Sequence, residues 1–220
     1  MLCFIINDMN KSPIPKNHFD RNKAFYPIIM HFLVQLIGFR ELGLRGAIGS
    51  QDINSRISQV IGQVSIEGHE KEASQIVESL KKLLSPLQLR TEQDDENIDI
   101  DIDEISKELA SNYAYLSTFV MKSASNVLIL AHEVCKDNPH KDSSPIWEFL
   151  RHCRNAAAHG GFFTFLHGEP RRPARWGKLE IDSSLQGVPL FKLNDGSGLI
   201  SPGDIIRLLW DIEQAYPQIH

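Results

Sequence analysis

The feature that most constrains this chain is the spacing of its apolar residues, which recur every three or four positions, the period of helices that bury one face. Phe25, Ile28, Ile29, Phe32, Leu33, Leu36 and Ile37 make the first such stripe, with Pro27 tolerated in its first turn. Gly43, Gly46 and Gly49 are expected to break it. A second stripe follows at Ile53, Ile57, Val60, Ile61 and Val64, capped by Ser50 or Asp52. A third runs through Ala73, Ile76, Val77, Leu80, Leu83 and Leu84 until Pro86 stops it. Ile105, Leu109, Tyr113, Leu116, Val120, Val127, Leu128 and Ala131 predict one long helix of roughly thirty residues, about 45 Å at 1.5 Å per residue. It should end near Asp137-Asn138-Pro139.

Ser143 or Ser144 before Pro145 is a helix-start signal, and Ile146, Trp147, Phe149, Leu150 and Cys153 supply the apolar face that follows. Gly160-Gly161 closes that helix. The chain then changes character, because Gly168, Pro170, Pro173, Gly177, Gly187 and Pro189 punctuate two short segments, 178–181 and 188–193, that read as a hairpin. Ser201-Pro202-Gly203-Asp204 caps a last helix with Ile205, Leu208, Leu209 and Ile212 facing inward. The sum is a mainly α fold in one domain, 1–220. An antiparallel helical bundle occupies about 20–161, and a small β-hairpin and a final helix occupy about 162–220.

Composition narrows the function classes. A chain of 220 residues with 42% hydrophobic content can bury a sizeable core, and a net charge of −5 gives no global footprint for nucleic acid or a membrane surface. Any basic site must be local. Cys3, Cys135 and Cys153 are odd in number and scattered, unlike a disulfide framework, which favours a reducing compartment. The apolar start, Leu2-Cys3-Phe4-Ile5-Ile6, lacks a preceding basic region and a cleavage site, and the apolar stretch 26–38 falls short of a membrane span. The expectation is a cytoplasmic protein with no membrane partner.

Two segments invite a metal reading. Segment 91–104 holds eight acids and no base, and is read as a loop or helix entry. The alternation Asp99, Asp101, Asp103 lacks the glycine and distal glutamate of a calcium loop. His132 with Cys135, and His152 with Cys153, lack a second histidine or paired cysteines at zinc spacing, and read better as buried singletons. No metal and no cofactor is expected.

The chemically informative segment is Arg154-Asn155-Ala156-Ala157-Ala158-His159-Gly160. Arginine offers a fixed positive fork suited to phosphate, and histidine can give and take a proton near neutral pH. Five residues at about 100° each put the two side chains roughly 140° apart on an ideal helix, so convergence needs the helix to end between them or a second subunit. The bland alternative makes Arg154 an ion-pairing residue and His159 a polar residue in the last turn, where a cation is favoured.

Arginine, a polar residue and, within four to six positions, a histidine near the end of a bundle helix resemble the signature of HEPN domains, here Arg154, Asn155 and His159. The resemblance covers the motif and, loosely, the helices of 103–161. It implies a helical bundle that dimerises to bring two motifs into one cleft, and a metal-independent endoribonuclease with a toxin–antitoxin or defence role and an antitoxin protein as possible partner. His159 would then be general base or acid at a ribose 2′-hydroxyl, Arg154 would stabilise phosphate charge, and Asn155 would orient one of them. The alternative is a non-catalytic HEPN-like module for dimerisation or for binding a nucleotide or RNA. The hairpin and final helix depart from a minimal bundle of this family. After the motif, Arg171, Arg172, Arg175 and Lys178 with Trp176 could follow an RNA backbone and stack a base, or form a solvated charged loop.

A motif whose two side chains do not share a helix face is expected to work as a homodimer. Light scattering at tens of micromolar should give twice the chain mass of 24.9 kDa. A monomer mass there would count against a composite site.

Overall fold

The computed structural model describes residues 20–48, 87–91, 97–136, 144–166, 168–217 and 219, so the stripes predicted at 53–64 and 73–84 lie outside the described residues. Within them the protein is mainly helical, with two small antiparallel hairpins. The helices are α1 (Tyr26–Ile48), α2 (Ile102–Ser111), α3 (Tyr113–Cys135), α4 (Pro145–Ala158) and α5 (Pro202–Ala215). The strands are β1 (Leu87–Arg90) with β2 (Asn97–Ile100), and β3 (Ala174–Trp176) with β4 (Leu179–Ile181). The chain divides into two compact units, one of residues 34–120 and the other of 1–33 with 121–220.

In the 34–120 unit α1 runs on to Ile48 instead of breaking at Gly43 and Gly46. The reason is tertiary. A Cβ at position 46 would lie 1.8 Å from the Ser106 carbonyl oxygen of α2, so the glycine is where two helix backbones meet. Arg45 pairs with Asp103 beside it, and Phe39 stacks on Phe119 with ring centroids 5.1 Å apart. The helix interior tolerates glycine at a cost of about 1 kcal/mol, which this approach offsets.

The single long helix expected from the apolar spacing is two helices. Asn112, with φ −129° and ψ 90°, closes α2 by donating its N–H to Glu108 O at 3.1 Å. Its Oδ1 then accepts the Ala114 N–H at 3.1 Å and opens α3. The segment read as a loop or helix entry contains strand β2 and the start of α2, and gives each described acid a local task. Asp99 accepts from Gln88 Nε2 at 2.7 Å across the hairpin, and Asp101 caps α2 by accepting the N–H groups of Asp103 and Glu104 at 2.9 and 3.0 Å. Asp103 and Glu104 lie in the first turn of α2, where negative charge suits the helix dipole. Ile37 and Ile105, expected to face inward, are 59% and 43% exposed, and Leu87, Leu89 and Ile98 share one face of β1–β2 at 50, 47 and 54% exposure, among the described residues.

The other unit holds the remaining elements. Phe25, Ile29 and Phe32 are buried with Val127, Leu128 and Ala131 of α3, with Trp147, Phe149 and Leu150 of α4, and with Ile205, Leu208, Leu209 and Ile212 of α5. Ser144 precedes α4 with Pro145 in its first turn, and the Ser201 N–H donates to Asp204 Oδ2 at 2.8 Å to open α5, both as expected. The buried Glu213 carboxylate accepts the Phe25 N–H at 2.8 Å, tying α5 to the start of α1. The hairpin differs from expectation: Leu179–Ile181 of segment 178–181 pairs backward with Ala174–Trp176 across the Gly177-Lys178 turn, where Gly177 has φ 55°, not forward with 188–193. Val188 and Leu190 instead bond to the chain just after α4. Because α1 passes its glycines, Tyr26–Ala47 is long and apolar enough to cross a membrane, as is Ala114–Cys135 of α3, a property shared with core helices of soluble proteins.

Two glycines of α1 should respond to alanine with opposite signs. Gly43→Ala, with nothing within 4 Å of the new Cβ among the described residues, should stabilise by about 0.5–1 kcal/mol. Gly46→Ala should destabilise by at least about 1–3 kcal/mol through overpacking. Urea unfolding of both variants checks this, and equal effects would remove the close approach from the account.

Candidate active site

The motif sits at the end of α4. Pro145–Ala158 is helical, and His159 is the first residue beyond it, with φ −106° and ψ 43° and its N–H on Asn155 O at 3.0 Å. Gly160 and Gly161 follow at φ 86° and 91°, and the Gly161 N–H reaches back to Ala156 O at 2.8 Å, the closing bond of a glycine-terminated helix. The turn is held from outside: Leu190 N–H donates to Gly161 O at 2.8 Å and Phe163 N–H to Val188 O at 2.9 Å. His159 is therefore exposed on a fixed corner.

Arg154 and Asn155 lie one turn earlier and are both half-buried. Arg154 Nη1 donates to Asn155 Oδ1 at 3.3 Å, and Arg154 Nη2 lies 3.8 Å from Glu133 Oε1 of α3. Its Nε is buried and has no hydrogen-bond partner among the described residues. Among those residues no hydrogen bond or ion pair joins Arg154 to His159. At about 100° per residue, Glu148, His152, Asn155 and the start of the His159 corner fall within about 60° of one line along α4, and Arg154 points well away from it.

That line carries a buried polar cluster. Glu148 is 5% exposed and accepts from Arg151 Nε and Nη2 at 3.1 and 2.8 Å. Arg172 Nη1 lies 3.7 Å from its other oxygen, and Arg151 Nη1 lies 3.6 Å from Glu169 Oε1. His152 is buried, and its Nε2 is 3.0 Å from Arg151 Nη2. A guanidinium only donates, so Nε2 accepts and the ring is the neutral tautomer with its proton on Nδ1. Burial, and then the Arg151 charge, hold His152 below its ordinary pKa, while Glu148 and Glu169 pull the other way. The pattern Glu148, Arg151, His152 at three- and four-residue steps was readable as a helix-face cluster; Glu169 and Arg172 were not, since a loop brings them in.

The five residues expected to contact RNA separate. Arg175 pairs with Glu180 Oε1 at 2.8 Å across β3–β4, and Arg172 faces Glu148. Trp176 donates its Nε1–H to Asp211 Oδ2 of α5 at 2.8 Å and packs against Phe149 at a centroid distance of 5.8 Å, so it fastens the hairpin to two helices. Arg171 and Lys178 are exposed and have no ion pair among the described residues. The two described thiols are held in the protonated form: burial, with the Glu213 charge second, pushes Cys135 up to about 12, and burial raises Cys153 well beyond its ordinary value. Among the described residues no three His, Cys, Asp or Glu side chains come together as a metal site would require.

His152 gives a pH prediction. Its folded pKa lies below the unfolded value of about 6.5, so the unfolded chain takes up a proton first as pH falls. Its contribution leaves stability untouched above about pH 6.5 and lowers it progressively below that value. Urea unfolding from pH 7 to pH 5 should show wild-type protein losing more stability than His152→Gln. Parallel pH profiles would remove this role. Comparison of the chain with protein-family models, curated proteins and solved structures finds no match, so geometry and chemistry carry the functional argument.

Proposed function

We propose that the protein is a metal-independent endoribonuclease of HEPN type, a helical bundle acting as a homodimer. The observation that carries the reading is the exposed His159 on a glycine-fixed corner, one turn beyond an arginine and asparagine whose side chains are hydrogen-bonded. In the proposed reaction a base, His159 of one copy, takes the proton from a ribose 2′-hydroxyl. The 2′-oxygen forms a bond to phosphorus, the bond from phosphorus to the 5′-oxygen breaks, and an acid protonates that oxygen as it leaves. The products are a 2′,3′-cyclic phosphate and a 5′-hydroxyl, with no oxidant or metal in the balance. Arg154 meets the charge that builds on the phosphate oxygens, and Asn155 orients its guanidinium. A second copy related by two-fold symmetry supplies the complementary histidine and arginine. In this reading the protein works in the cytoplasm, and a toxin role with an antitoxin partner follows from the family resemblance alone.

One observation favours a second reading. Arg154 already faces Glu133, the arrangement of a structural arginine, and on that basis the protein is a non-catalytic module of the same fold that dimerises or binds RNA without cutting it. Purified protein should be incubated with mixed cellular RNA in EDTA, with cleavage and thermal unfolding measured together. The nuclease reading expects His159→Ala to lose about a hundredfold or more in rate with little change in melting temperature. Arg154→Lys, which keeps the charge but removes the planar fork, should also be defective. Wild-type protein that cuts RNA while both variants cut it equally well would end this mechanism.

A further inference from the structure

We infer that the RNA bound at this site extends along α4 over several nucleotides, with the cleaved phosphodiester at His159 and a second backbone phosphate held by Arg171; the inference rests on the ribonuclease reading above. The position of the loop carries it. Arg172 lies 3.7 Å from Glu148, and Glu169 lies 3.6 Å from Arg151 while accepting the Leu166 N–H at 3.2 Å, so the loop is pinned to the first half of α4. Arg151 and Glu148 precede His159 by eight and eleven residues, about 12 and 16 Å along the helix at 1.5 Å per residue.

The charges in the pinning cluster balance. Arg151 and Arg172 are matched by Glu148 and Glu169, and His152 is neutral, so the cluster has no positive charge left for a phosphate. Arg171, adjoining the anchor residue Arg172, is exposed and without an ion pair among the described residues. Arg172 is exposed too but faces Glu148, so among the described residues of this loop Arg171 is the cation without an acidic partner. A stacked strand advances about 3.4 Å per nucleotide, so 12–16 Å corresponds to about four or five nucleotides. One dinucleotide does not reach both ends.

The test compares a ribodinucleotide with an RNA octamer as substrates of the full chain. The expected result is a kcat/KM per scissile bond about tenfold or more higher for the octamer, the gain lying mainly in KM. Arg171→Ala should abolish most of that advantage and reduce the salt slope of octamer binding by about one, the signature of one lost phosphate contact. Arg171→Lys should restore it, since an ammonium also serves as a phosphate-binding point charge. Equal kcat/KM for the two lengths, or an octamer advantage and salt slope untouched by Arg171→Ala, would overturn the extended site and leave the nuclease reading standing. Wild-type protein that cuts neither substrate would overturn both.

Discussion

A carboxylate that is 5% exposed is costly to bury, and the way Glu148 is paired organises everything around the motif helix. Arg151 supplies two hydrogen bonds from the same helix, and Arg172 approaches from a loop more than twenty residues further along the chain. Arg151 in turn engages Glu169, so two elements of unlike origin are locked by four charges that cancel. Removing one member would leave a partly buried charge without its partner, an effect on the order of 3–5 kcal/mol where burial is complete and smaller here, because Arg151 and Arg172 are 32% and 56% exposed. The neutral His152 completes the cluster, with its ring edge against Phe165 at 5.5 Å.

The far end of the same helix is built differently. It is fixed by backbone geometry: two glycines at positive φ, a bond from Gly161 to Ala156, and a tie from Leu190 to Gly161. A non-glycine side chain at either position would be strained, so the corner that presents His159 is specified by residue types with little alternative. Arg154 is directed toward Glu133 of α3 while Asn155 and the His159 corner lie toward the polar line of α4. The separation of these side chains around one helix is the physical basis for expecting two copies to complete one site.

Sequence and structure part company where helices meet. The glycines of α1 looked like breakers because an isolated helix loses about 1 kcal/mol at each. At Gly46 the missing side chain is what allows the Ser106 backbone to approach, and nothing in the spacing of apolar residues could reveal that neighbour. Asn112 shows the reverse, since an apolar period running from Ile105 to Ala131 concealed a single residue whose backbone closes one helix and whose side chain opens the next. The strand 97–100 was hidden by its acids: its alternation is only four residues long, and its hydrogen bonds depend on partners seven to thirteen residues away.

The sequence by itself determined the mainly helical class, the start signals of α4 and α5, the inward face of α5, and the glycine stop that leaves His159 beyond the last helical residue. These are local matters, decided by caps, period and backbone freedom within a few residues. Only the tertiary structure decided that Trp176 belongs to Asp211 and Phe149, that Arg175 belongs to Glu180, and that Arg172 belongs to the buried Glu148. The partners of Trp176 and Arg172 lie in other elements, and a charge or an indole N–H takes its partner from whatever the packing of those elements places within about 3–4 Å.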